Sequence, residues 1–182
     1  MHATKGMVMR RKSAIYADME AACESAKAMG FPAFPGGVPA STPVNATPFL
    51  MDIAELEGLA DDCWRRELLQ RFSEMLIDMR SRGAQPIAAL IGGSFLDLAR
   101  SPCDLDCVVF YEDGEDAGGA LLASQDRWRD RRIDVRFIPY DRDPIISLKV
   151  SAYFGALYAA TKQPSEPAKA ALLLDLCRGE AP

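Results

Sequence analysis

The residues with the clearest chemical content lie in the stretch IGGSFLDLARSPCDLDCVVFY, residues 91–111. An apolar run ends in Gly92-Gly93-Ser94, nine residues separate Ser94 from Asp104, and Asp104-Leu105-Asp106 opens a second apolar run. Side chains alternate across a strand, so Asp104 and Asp106 are expected on one face, with Leu105 and Cys107 on the other. Two like charges at that distance repel and destabilise the fold unless something positive lies between them. Carboxylates without histidine or thiolate suit Mg²⁺ or Mn²⁺. A third ligand is expected from a neighbouring strand. Asp134 fits, because Ile133 and Val135 on either side of it would face the core. Asp141 and Asp143 compete for that place but fall in a turn and a helix cap, and alternation favours Asp134. The glycines supply the other half. A strand–Gly-Gly-Ser–helix turn presents backbone N–H groups to an anion. Gly92 and Gly93 let a triphosphate approach the backbone closely, and the Ser94 hydroxyl can donate to a phosphate oxygen. The combination suits a nucleoside triphosphate with a divalent metal, and in-line attack on a phosphoryl group.

These residues need strands and helices to hold them. A strand is expected over about 87–91, a short helix over about 95–100, a second strand over about 104–111 and a third over about 133–140. Between the last two, EDGEDAGG (112–119) reads as an acidic, glycine-rich loop and residues 120–131 as a helix. The most secure helix spans 62–82, capped by Asp61 and ended by Gly83. Trp64, Leu68, Phe72, Met75, Leu76 and Met79 form its apolar stripe, and Arg65, Arg66, Glu67, Arg71 and Asp78 its solvated face. Asp143 and Pro144 open a helix running to about Thr161, and Ser165 and Pro167 start a last helix over about 166–178. At the other end, Ser13 can cap a helix over 13–29 that stops at Gly30. FPAFPGGVPASTPVNATP (31–48), with its five prolines, reads as a linker without regular structure. The expected division is therefore a helix and linker over 1–48 and a compact domain over 49–182, its core at about 62–140 and C-terminal helices at 144–178.

Composition narrows the chemistry. The 182 residues are 49% hydrophobic and 26% charged, as in an ordinary globular protein, and the net charge of −5 disfavours a nucleic-acid partner gripped through its backbone. The run DRWRDRR (126–132) is the best counter-argument, with a charge-mixed helix face as its simpler explanation. Arg100 and Lys149 are further candidates for reaching phosphate oxygens. His2 is the only histidine, which excludes Ser-His-Asp and Cys-His nucleophiles, HExxH zinc sites and histidine bases. Five scattered cysteines with no CxxC pair support neither zinc nor a disulfide framework. They read as reduced thiols of a cytoplasmic protein. No signal peptide, membrane span or membrane partner is expected.

The pattern Gly92-Gly93-Ser94, nine residues, Asp104-x-Asp106 and a later strand aspartate resembles the nucleotidyltransferase superfamily that includes DNA polymerase beta. It is most similar to small stand-alone bacterial members such as the MNT-type antitoxins and minimal nucleotidyltransferases. The resemblance covers about residues 62–140. It implies an α+β fold, a mixed sheet with packed helices. It also implies triphosphate binding by Gly93 and Ser94 and metal ligation by Asp104 and Asp106. Asp134 would be the third ligand and would help to activate the acceptor hydroxyl. The implied reaction transfers a nucleoside monophosphate, AMP being the expected group, to a hydroxyl of a protein or small molecule. Three readings follow: an enzyme acting on a protein partner, as in toxin–antitoxin pairs; a small-molecule transferase of the aminoglycoside-modifying kind; and an inactive nucleotide- or partner-binding module. Too little chain follows the core for a template-directed polymerase.

Overall fold

The computed structural model describes residues 13–37, 40–114, 117–161 and 168–177. The fold is α+β: the described residues form five α-helices and a five-stranded mixed sheet. The helices are α1 (Ala14–Ala28), α2 (Ile53–Glu57), α3 (Cys63–Ser81), α4 (Gly118–Asp130) and α5 (Pro144–Ala159). The strands are β1 (Phe49–Asp52), β2 (Ala84–Gly92), β3 (Leu105–Asp113), β4 (Ile133–Pro139) and β5 (Leu172–Asp175), in the order β1-β5-β2-β3-β4. β1 pairs with β5 and β3 with β4 in parallel, whereas β2 runs antiparallel to both its neighbours.

Local chemistry explains most element ends. Asp62, one residue after the expected cap, accepts from the Arg65 backbone N–H and starts α3, and Gly83 ends it with φ +84°. Asp143 accepts from the N–H groups of Ile145 and Ile146, with Pro144 in the first turn of α5. Ser13 caps α1, and Asp52 with Glu55 forms a capping box on α2. β2 begins before the expected Ile87 and tolerates Pro86 through a register shift between Pro86 and Ala88.

Alternation divides the sheet into two faces. Ala89, Ile91, Leu105, Cys107, Val109, Ile133 and Val135 join the main core with α1, α3 and α4. Leu90, Val108 and Phe110 pack instead with Val150, Phe154 and Tyr158 of α5. The outer side of α5 is unusually apolar: Ile145 is 72% exposed and Leu148 64%.

Four expectations are corrected. The residues expected to continue a last helix over 166–178 form β5, inserted between β1 and β2; residues 162–167 and 178 lie outside the described part. Ala and Leu favour a helix in isolation, but burial of Leu172 and Leu174 against both neighbouring strands overrides that preference. The proline-rich segment is not featureless: it makes short 3-10 turns, buries Phe31 and Ala33, and bridges Pro32 to Lys169 before entering β1. The short helix over 95–100 is a 3-10 turn, Gly93–Leu96. Arg65, expected in solvent, is buried.

Among the described residues no helix is long and apolar enough to cross a membrane. Phe72 is fully buried on α3, whereas Ile77 is 63% exposed. Phe72→Ala is expected to lower unfolding stability by about 3–5 kcal/mol and Ile77→Ala by less than about 0.5 kcal/mol. Urea denaturation of the two variants beside the wild type checks this.

Candidate active site

The site forms where β2 ends and β3 begins. Gly92 stands opposite Asp106 in the antiparallel register. The chain then turns through Gly93, whose φ of +70° belongs to the left-handed region that favours glycine. A Cβ at Gly93 would also collide with Oδ2 of Asp106, so turn and carboxylate are in intimate contact. A Cβ at Gly92 would collide with the Tyr158 ring; on that side α5, not open space, lies against the glycine. Ser94 closes the connection, its Oγ accepting from the Cys103 N–H at 3.3 Å. The expected serine–nine residues–aspartate spacing is thus the length of a loop whose ends meet.

Leu105 and Cys107 are fully buried in the main core, and Asp106 between them emerges on the α5 side. Asp134 is its register partner on β4. Asp104 lies just before β3 and is half-buried, like the other two. Burial, and then repulsion from Asp134, raises the Asp104 carboxyl above its ordinary range. Burial first, then the charges of Asp104 and Asp134, pushes Asp106 up to about 6, with Arg136 opposing. The structure therefore brings the three predicted carboxylates into electrostatic contact beside Gly93. The competitors serve elsewhere: Asp141 accepts from the Asp113 N–H, and Asp143 caps α5.

Among the described residues no three His, Cys, Asp or Glu side chains are gathered as a ready metal cage. Asp134 is ion-paired with Arg136 at 2.7 Å and lies 3.6 Å from Arg129. The donor chemistry nonetheless fits a hard divalent cation: three half-buried carboxylates in mutual repulsion would be relieved by positive charge. Asp104, Asp106 and Asp134 are the residues that would hold Mg²⁺ or Mn²⁺.

Two contributors escaped the sequence reading. Tyr158 is the residue packed on Gly92, and burial raises its phenol well above the ordinary range. Arg65 is 2% exposed and reaches from α3 under the site loop. Its phase was visible: it is in step with Leu68, Leu69, Phe72 and Leu76 on the buried side of α3. Three of the four arginines of 126–132 are engaged at the surface. Arg127 pairs with Asp78, Arg131 with Glu74 and Arg129 with Asp126, while Arg127 and Arg131 flank the buried ring of Trp128. Arg100 pairs with Asp97.

The raised pKa of Asp106 sets a pH dependence. Between about 3.8 and about 6 the folded protein holds a proton that the unfolded chain has released, so this group's stabilisation is complete below that window and lost as pH rises through it. Asp106→Asn, neutral throughout, is expected to melt a few degrees above the wild type near pH 7 without divalent ions. The gap should close towards about pH 4, and thermal melts across that range measure it.

Searches of curated proteins and of solved structures gave no match. A family profile matches residues 42–171, a span that holds β1 to β4, α2 to α5 and every residue of the site. The chain belongs to that family, DUF6932, a family of unknown function.

Proposed function

We propose that this protein is a metal-dependent nucleotidyltransferase of the cytoplasm, moving a nucleoside monophosphate, AMP the expected group, from a nucleoside triphosphate to a hydroxyl of a protein or small molecule. A partner toxin is one such acceptor. The observation that carries the reading is the meeting of Asp104, Asp106 and Asp134 beside the Gly93–Ser94 turn, with the carboxyl groups of Asp104 and Asp106 held above their ordinary range by burial and mutual charge.

In this reading the backbone of Gly93 and the Ser94 hydroxyl orient the triphosphate. The acceptor oxygen forms a bond to the α-phosphorus as the bond from that phosphorus to the bridging oxygen breaks, and pyrophosphate leaves with the electron pair. Asp134 takes the acceptor proton. When bound, Mg²⁺ or Mn²⁺ supplies positive charge for the phosphate oxygens. A half-buried site favours this chemistry because charges interact more strongly there than in water. A second reading, a nucleotide- or partner-binding module without turnover, is favoured by the engagement of Asp134 with Arg136.

Calorimetric titration of ATP, GTP, CTP and UTP with Mg²⁺ and with Mn²⁺ tests the proposal. One nucleotide is expected to bind only with metal, and the Asp104→Asn, Asp106→Asn double variant to lose on the order of 100-fold or more in affinity. Absence of binding to the wild type would sink the proposal. Binding with no pyrophosphate released in the presence of candidate acceptors would move the second reading to first place.

A further inference from the structure

Arg65 carries a buried charge that the chemistry above does not use. Its Nε donates to the Phe95 carbonyl at 3.2 Å, and one terminal nitrogen donates to the carbonyls of Asp97 (2.7 Å) and Arg100 (2.6 Å). The other terminal nitrogen pairs with Asp62 at 2.5 Å, with Asp61 at 3.6 Å. Next to it, Trp64 Nε1 donates to the Pro102 carbonyl at 2.8 Å. The first turn of α3 therefore grips four carbonyls of the segment between Ser94 and Asp104.

Phe95 and Leu96 anchor the start of that segment in the main core and Pro102 is buried near its end, but residues 97–101 between them have little else to fix their path. The segment's other described hydrogen bonds are local: Asp97 N–H to the Ser94 carbonyl, Arg100 N–H to the Asp97 carbonyl, Ala99 N–H and the Arg100 guanidinium to the Asp97 carboxylate, and the Ser94–Cys103 closure. One end of the segment is the turn of Gly93 and Ser94, and the other is Asp104. We propose that Arg65 is the positioning residue of the site, setting the spacing between the triphosphate turn and the carboxylates. The inference rests on the nucleotidyltransferase reading. The planar guanidinium suits the task, because several donors fixed in one fork can hold carbonyls that face it from different turns of the loop. A lysine offers a single ammonium and cannot span the same set. Asp62 keeps the charge paired while the three carbonyls occupy the remaining donors, which is what a buried cation requires.

The test compares wild type, Arg65→Lys and Asp62→Asn; the last keeps a helix-capping side chain but removes the anion behind the guanidinium. Mn²⁺ alone is titrated first, and the nucleotide that the wild type binds is then titrated at saturating Mn²⁺. Arg65→Lys is expected to weaken nucleotide binding about tenfold or more and Asp62→Asn by a smaller factor, with Mn²⁺ affinity within about twofold of wild type in both. Unchanged nucleotide affinity in both folded variants overturns the proposal. So does an equal loss of Mn²⁺ and nucleotide affinity, which marks general damage to the fold. If Arg65→Lys does not fold, the Asp62→Asn ratio decides. A wild type that binds no nucleotide overturns instead the reading on which the inference stands.

Discussion

Ile91 lies opposite Cys107 and Gly92 opposite Asp106, and the rest of the molecule is arranged around that antiparallel register of β2 and β3. A slip of one residue would turn Asp106 into the core and Cys107 out of it, since side chains alternate with a period of two. The register is enforced by burial: Ile91, Leu105, Cys107 and Val109 are all sealed in the main core. Once it is fixed, the parallel pairing of β3 with β4 places Asp134 beside Asp106 with no further choice. The α5 side of the sheet then receives the polar groups, together with Tyr158 against Gly92.

The same arrangement works against stability. Burial and the charges of neighbouring carboxylates raise the pKa of Asp104 and of Asp106, and among the described residues the ion pairs at this site are those of Asp134 with Arg136 and Arg129. A fold optimised for stability alone would place apolar or neutral residues at Asp104 and Asp106. Their presence, beside a turn that only glycine fills without strain, is the kind of local cost that accompanies a site. The main core offsets it: α3 alone buries Leu68, Leu69, Phe72, Met75, Leu76 and Met79.

The buried guanidinium of Arg65 joins these two layers. Its neighbours on α3 belong to the hydrophobic core, while its donors reach the loop that separates Ser94 from Asp104. A helix held by apolar packing thus transmits its position to residues 97–101, which lie outside the core between the buried Leu96 and Pro102. The surface arginines behave differently. Arg127 and Arg131 cover the Trp128 ring and pair with acids of α3, tying α4 to α3.

The sequence by itself determined the elements whose periodicity or caps are strong and local. The stripe of α3 and its Gly83 stop, the Asp143-Pro144 start of α5, and the alternation of β3 and β4 were legible because each depends on neighbours within a few residues. The positions of Asp104, Asp106, Asp134, Gly93 and Ser94 were legible for the same reason, since spacing and strand parity suffice to bring them to one end of a sheet. The tertiary structure alone decided the rest. Leu172–Asp175 is a strand because two other strands flank it, and no local preference records that. Phe31 is buried because the sheet offers it a surface, although its proline-rich surroundings read as linker. Arg65 is buried because three carbonyls more than two dozen residues away solvate it in place of water. Such long-range pairings have no counterpart in a sequence window, because the groups that repay their burial become neighbours only when the chain has folded.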